Sequence, residues 1–531
     1  MHTTAQFIPY RQTGFFSTMV ADYISAAPRL QPFYNHPVTL DGIRASIEQR
    51  KLFATDRALL VDILNEQYKT TTLTEKQKIY IHQLSSDNTF TICTAHQPNI
   101  FTGPLYFVYK ILHAVKLAEE LQAALPENNF VPVYYMGSED ADLDELGHVF
   151  INNEKYEWAT KQTGAVGRMM VDKTLVKLIE TISGQLLVFP FGAEIIDLMK
   201  DCYQPGVTIE QATFKLVNAL FATYGLLILL PDSAAVKKRF APVIEKELTE
   251  GFSHPAVQQT VSQFPEEYKA QASGRAINLF YLVDDKRERI ERAGDDFLIV
   301  NTQLKFSKAA LLQELEEHPE RFSPNVILRP VLQETILPDI AFIGGGGEIA
   351  YWLELKKVFE AAQVPYPMLI VRNSFMIVSE GLQASTKKLR LEYAGLFANE
   401  LELVNQLVTR DSTIQLALEK EKEQMVALYD QVKIIAGGID TSLQTHTSAL
   451  QTQALKKISA LEKKMFRAQK RKFEAEQRQL GKLKRELFPN NSLQERVGNL
   501  MPFYASHGNA FIEMIYNHSK GLQQEFGVIL E

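Results

Sequence analysis

The chain has 531 residues, enough for roughly three domains at about 150 residues each, and its 46% hydrophobic and 22% charged content is ordinary for a globular protein with a large core. Its only cysteines, Cys93 and Cys202, are far apart and form no CxxC pair, which excludes a disulfide scaffold and a cysteine-rich zinc site and points to a reducing cytoplasm. The net charge is −7 but uneven: residues 451–488 hold twelve Lys/Arg against four Asp/Glu, which leaves the remainder at −15.

The first residues show no basic stretch ahead of an apolar one, so no signal peptide is expected. No apolar run reaches the ~18 residues of a membrane span. Residues 1–87 read as mostly helical, with apolar positions at helical spacing from Leu52 to Tyr68, and form a layer packed on a core.

Residues 88–380 read as that core. Thr89 to Ala95 is a β-rich run, followed by a polar loop from His96 to Gly103. Pro104 suits a first helical turn, and Leu105 to Leu125 carries a helical pattern. Phe130 to Met136 is a second strand, with Pro132 an awkward residue near its start. Strand, helix, strand at this spacing is a βαβ unit with parallel strands. Leu226 to Leu230 is another strand. An insertion is expected around 164–325, containing a hairpin of Ile277 to Val283 and Ile290 to Arg292 across a charged turn. A second βαβ unit runs from Ile340–Ile343 through Gly344–Gly347 and a helix to Met368–Val371.

From about 381 to 488 glycine and proline nearly vanish. Phe466, Phe473, Leu480 and Leu487 recur every seven residues, as in a coiled-coil seam. Gly437-Gly-Ile-Asp440 is expected to turn the chain back between two long antiparallel helices. A stripe of this kind is not buried by one hairpin, so a second copy is the natural partner. Residues 489–531 are expected to return to the core. The fold class is α/β: a Rossmann-like parallel sheet with inserted segments and a long antiparallel helical arm.

Three loops could carry chemistry. In an open parallel sheet, ligands bind beyond the carboxyl ends of the strands. His96, Gln97, Asn99, Thr102 and Gly103 lie in the first such loop, and Lys110 follows on the helix; an anion would suit the backbone there. The second loop holds Glu139, Asp140, Asp142, Asp144, Glu145 and His148, able to orient or deprotonate an amine, with helix capping by Asp142 or Asp144 as the plain alternative. The spacing is not that of a calcium loop, and no metal is predicted. The third is Gly344, Gly345, Gly346 and Gly347 before Glu348, Tyr351 and Trp352. It could cradle an anion or be a simple turn with the aromatics in the core. Glu348 would oppose a phosphate, and the string is neither GxGxxG nor a P-loop. Lys305-Phe-Ser-Lys308 is weakly similar to the KMSKS loop of class I aminoacyl-tRNA synthetases, but reads more simply as a serine cap before Ala309 to Glu317.

Five strings, in order along most of the chain, resemble the family that adds cysteine in bacillithiol biosynthesis. They are Phe101-Thr-Gly-Pro-Leu-Tyr106, Gly137-Ser-Glu-Asp-Ala-Asp142 through His148, Phe322-Ser-Pro-Asn-Val-Ile-Leu-Arg-Pro330, Gly344 to Trp352, and Leu487-Phe-Pro-Asn490 with Leu493-Gln-Glu-Arg496. The resemblance implies a Rossmann-type core, a helical arm used for homodimerisation, and ligation of L-cysteine to the amine of glucosaminyl malate. It places Arg329 among the substrate-binding residues. Relatives usually read Thr-Gly-Gln-Gln where this chain has Thr94-Ala-His-Gln97, a histidine at Ala141, and a proline at Gly346. Amide formation normally draws on ATP, although no ATP fingerprint is present. A competing class is a non-enzymatic coiled-coil dimer whose basic arm contacts nucleic acid or another anion. The arm lacks interleaved aromatics and groove-reading motifs and the body is acidic, which favours the ligase; with no apolar run of spanning length, no membrane partner is expected.

Overall fold

The computed structural model describes residues 3–272 and 274–531. The chain divides into two compact units, Met1–Ile377 with Ser492–Glu531, and Val378–Asn491.

The first unit is built on a five-stranded parallel sheet. Its strands lie in the order Met368–Val371, Asp339–Gly344, Thr89–His96, Asn129–Met136, Leu227–Leu229. All eight residues of Thr89–His96 are buried, as expected for a strand flanked on both sides and covered on both faces. The chain runs outward from this strand in one direction through Asn129–Met136 and Leu227–Leu229. It then resumes on the opposite side at Asp339–Gly344. The direction of winding therefore reverses between Thr89–His96 and Asp339–Gly344, and a crevice opens at the carboxyl ends of such a strand pair. Pro132 is tolerated inside Asn129–Met136 because the outer neighbour pairs only with Val133, Tyr134 and Tyr135.

Helix Tyr106–Ala124 makes the first crossover and buries Ile111, Leu112, Val115, Leu117, Ala118 and Leu121, the apolar positions of its sequence pattern. Leu117, Ala118 and Leu121 pack with Phe90, Ile92, Phe130, Ile340 and Ile370 in the central core. The helix starts at Tyr106 rather than at Pro104, which instead bridges to Asn499. The expected helix from Leu52 is shorter as well: it covers Arg57–Gln67, capped by the Asp56 side chain.

Two features escape the sequence pattern. The amino-terminal layer also contributes a strand, Thr4–Ile8, which pairs antiparallel with Phe526–Leu530 from the far end of the chain. The inserted region is more than a hairpin: Leu279–Val283, Lys286–Ala293, Asp296–Ile299, Lys305–Ser307 and Phe322–Pro324 form a five-stranded antiparallel sheet. The charged residues Lys286 to Glu288, read as part of a turn from Asp284, are strand residues, and the turn is only Asp284-Asp285, with Asp284 at φ 51°. Ser307 caps helix Lys308–Glu317, its hydroxyl accepting from the Ala310 amide at 3.2 Å.

The second unit is helical. Helices Glu419–Ile439 and Ser442–Lys470 run antiparallel, tied by Lys422 to Glu462 at 2.7 Å and by Gln451 to Asp430 at 3.2 Å. Gly437 and Gly438 remain inside the first of them, and the reversal falls at Asp440-Thr441. The seven-residue track is broken. A short 3-10 turn at Arg471–Phe473 separates Phe466 from Leu480 and Leu487, which are buried in the next helix, Glu474–Leu487. Among the described residues no helix is long and apolar enough to cross a membrane.

Candidate active site

The carboxyl ends of the parallel strands open onto a cavity of about 870 Å³, near the upper end of the ~300–1,000 Å³ usual for ligand pockets. All three sequence-selected loops reach it. His96, Gln97 and Lys110 come from the first, Glu139 and Asp140 from the second, and Gly345, Gly346, Glu348 and Tyr351 from the third, with Arg329 on an adjoining wall.

Hydrogen bonds fix the first two loops together. The Gly137 amide donates to the His96 carbonyl at 2.8 Å, and the Gln97 side-chain amide donates to Asp140 Oδ2 at 3.0 Å. His96 is buried against Tyr106 and Phe107, with ring centroids 5.4 and 5.3 Å away, and among the described residues its Nε2 has no partner. Burial, reinforced by the nearby Lys110 and Arg372 charges, holds its pKa well below the usual histidine value, so the ring is neutral.

Lys110 is not a surface residue. It is buried, donates to the Ala95 carbonyl at 2.9 Å, and pairs with Glu348. Burial lowers its pKa, partly countered by Glu348. Glu348 also accepts from the Gly345 amide at 2.8 Å. The expected anion cradle of the glycine loop is therefore already taken by this carboxylate, which caps the short helix Gly346–Trp352.

Glu139 lines the cavity and is ion-paired from behind by Lys237, which is fully buried. Burial raises the Glu139 pKa, and Lys237 works against that rise. Glu145, on the exposed rim, has its pKa raised by partial desolvation and then by the charges of Asp142 and Asp140.

Sequence reasoning missed most of the positive charge. Arg275, Arg287, Arg372 and Arg496 join Arg329 and Lys110 around the cavity, against Glu139, Asp140, Glu145 and Glu348. A chain with net charge −7 thus concentrates a cationic excess at its central crevice. Arg372 is held by Glu495 at 2.7 Å and by Ser374 at 2.9 Å, lies over the Tyr106 ring, and keeps a buried Nε without a partner among the described residues. Arg329 donates to the Tyr351 hydroxyl at 3.1 Å and lies over Tyr135. Isolated arginines on separate elements leave no local motif, so only the tertiary structure collects them.

Several expected site residues fall elsewhere. Asp142 is exposed and caps Leu143–Leu146, accepting from the Glu145 amide at 3.3 Å. Trp352 is wholly buried, stacked on Phe342 at 4.2 Å. Gly344 ends its strand. Thr102 is buried at φ 68°, outside the cavity lining. Asn99, Gly103 and His148 line a smaller neighbouring chamber.

Two family models match the chain. The bacillithiol biosynthesis BshC amino-terminal Rossmann-like domain covers residues 3–373, and the bacillithiol biosynthesis BshC carboxy-terminal coiled-coil domain covers residues 375–531. A Flavobacterium johnsoniae protein named "Putative cysteine ligase BshC" is 38% identical over 98% of this chain and 99% of its own length. Proteins of the same name from Christiangramia forsetii and Cytophaga hutchinsonii are 37% and 38% identical, over 98% and 94% of this chain and 98% and 94% of their own lengths. Matched along both of its parts, the chain belongs to the bacillithiol biosynthesis BshC family.

Proposed function

We propose that the protein is a cytoplasmic ligase that forms a C–N amide bond between the carboxyl group of L-cysteine and the glucosamine amine of glucosaminyl malate. One observation carries the reading. Loops from three separated stretches of sequence converge on a single cavity that pairs a carboxylate cluster with a cationic wall. An amine that must lose a proton and a substrate bearing carboxylates require those two chemistries side by side.

In this reading Glu139 and Asp140 meet the amine. Burial favours the protonated form of Glu139, which makes it a stronger base than an ordinary carboxylate. Gln97 fixes the orientation of Asp140. The malate carboxylates would lie against the arginine wall. His96, neutral and with a free Nε2, would hydrogen-bond the reacting carboxyl group.

ATP is the proposed cosubstrate and would supply activation of the carboxyl group. The unpartnered Nε of Arg372, with Arg287 and Arg329 close to the same space, fits a polyanion. We also propose a homodimer formed through the helical unit, where Leu428, Val432, Ile435 and Ile439 stand exposed at helical spacing.

The test is turnover: purified protein with cysteine, glucosaminyl malate and ATP, read as formation of the thiol-bearing amide. Asp140→Asn is expected to lose that turnover while keeping its fold. A wild-type protein that forms no product under these conditions would overturn the assignment, and full activity in Asp140→Asn would remove that residue from the mechanism.

A further inference from the structure

Beside the main cavity lies a second chamber of about 160 Å³, below the ~300 Å³ at which pockets for larger ligands begin. Tyr106, Glu145 and Arg496 line both spaces, so they form a shared wall.

The chamber has the features of a built site. Asn99 is 4% exposed, and among the described residues its Oδ1 has no hydrogen-bond partner. The loop that carries it is braced from below: Asn499 donates to the carbonyls of Phe101 and Gly103 at 2.8 and 2.7 Å. Gly103 has φ 62°, and a Cβ there would come within 2.7 Å of the Asn99 Cβ. Glycine at this position is what leaves the Asn99 side chain its place.

Glu145 and Arg496, both on the exposed rim, line the same small space, and among the described residues neither side chain takes part in an ion pair. An unpaired carboxylate and an unpaired guanidinium on one chamber match the two ends of a zwitterion. The His148 Nδ1 lies 2.8 Å from the Asp144 carbonyl and must donate to it. Val149, Phe150 and Val497 complete an apolar wall.

We propose that this chamber is the subsite for the free α-amino acid, holding the ammonium group of cysteine with Asn99 and Glu145, its carboxylate toward Arg496 and the main cavity, and its thiol against the Val149, Phe150 and Val497 wall. The proposal rests on the ligase reading and adds where one substrate sits. The chamber is selective by size and by polarity. A thiol is a weak donor that tolerates apolar neighbours, whereas a hydroxyl loses hydrogen bonds there. A long side chain meets the wall. The carboxylate of the bound amino acid lies at the shared boundary, where the amine of the second substrate can reach it.

The experiment is calorimetric titration of L-cysteine into the full-length protein under reducing conditions, with and without glucosaminyl malate and ATP, beside KM measurements. Cysteine is expected to bind more tightly than serine or alanine, and leucine not at all. Asn99→Ala should weaken cysteine binding about tenfold or more, the scale of a hydrogen bond to a charged group, and leave KM for glucosaminyl malate unchanged. Because Asn99 Oδ1 has no partner to lose, this variant is expected to fold. Val149→Trp, which fills the chamber, should raise KM for cysteine, with thermal unfolding checking its fold. Unchanged cysteine affinity and KM in Asn99→Ala overturn the subsite while leaving the ligase reading standing. Asn99-dependent cysteine binding by a protein that makes no amide has the opposite meaning: the subsite holds and the ligase reading fails. No heat of cysteine binding in any mixture overturns the subsite.

Discussion

Lys237 has no exposed surface, and its ammonium group pairs with the Glu139 carboxylate while donating to the Phe322 carbonyl at 2.7 Å. The pair ties the floor of the cavity to the antiparallel sheet. It also sets the proton affinity of a carboxylate proposed to meet the substrate amine.

Lys237→Met leaves Glu139 buried without its counter-charge. Removing one partner of a buried pair costs about 3–5 kcal/mol, and part of that is recovered if Glu139 takes up a proton. The variant should unfold at lower urea concentration. The acid limb of its kcat/KM profile should move to higher pH, because the Glu139 pKa, already raised by burial, rises further. A profile that keeps its position would show that Glu139 is not the titrating base.

Glu334 on helix Arg329–Ile336 and Asp339 at the start of its central strand share a buried site with Arg50, and among the described residues Glu334 Oε2 and Asp339 Oδ2 lack hydrogen-bond partners. Burial pushes the Glu334 carboxyl up to about 7, and burial with the Glu334 charge pushes Asp339 well above the ordinary range. The folded state therefore binds more protons than the unfolded state between about pH 4.3 and 7. Their contribution to stability is fully present below the unfolded value and is lost as pH rises through the folded one. Urea unfolding at a series of pH values should show a shallower fall in Glu334→Gln than in wild type over this window. Identical slopes would mean that the pair does not titrate there.

Trp352→Ala is expected to act on stability and not on binding. The ring stacks on Phe342 at 4.2 Å and on Phe359 at 5.6 Å, and emptying such a site costs about 3–5 kcal/mol. Thermal unfolding should fall clearly, while KM values measured well below the new transition stay as in wild type. A selective rise in KM for one substrate would return Trp352 to the site.

In the helical unit, Ile435 and Ile439 are 69% and 80% exposed. Replacing both with lysine should leave the melting temperature of the chain's core nearly unchanged and convert a dimer to a monomer in sedimentation equilibrium. A wild type that sediments as a monomer at all concentrations would remove the proposed interface.

Local pattern was enough for the elements that bury residues by rule. The short β-rich runs of the parallel strands, buried throughout, and the spacing in Tyr106–Ala124 follow from burial on both faces of a sheet and on one face of a helix. The strand–loop–helix order also placed His96, Gln97, Glu139 and Asp140 at one rim. Capping competes for the same residue types as catalysis, so Asp142 and Glu348 could not be told from ligands by type and spacing. The strand Thr4–Ile8 was illegible because its partner, Phe526–Leu530, lies at the other end of the chain.

The sequence by itself determined the α/β class, the parallel sheet and the loops at its rim, because period and burial are local and repeat along the chain. Only the tertiary structure decided which charges are spent within the protein and which face the cavity. Lys110 with Glu348 and Lys237 with Glu139 are pairs made by folding. Arg287, Arg372 and Arg496 become one cationic wall only when distant segments meet. Charge acts through space, and its effect depends on the burial that distant segments supply.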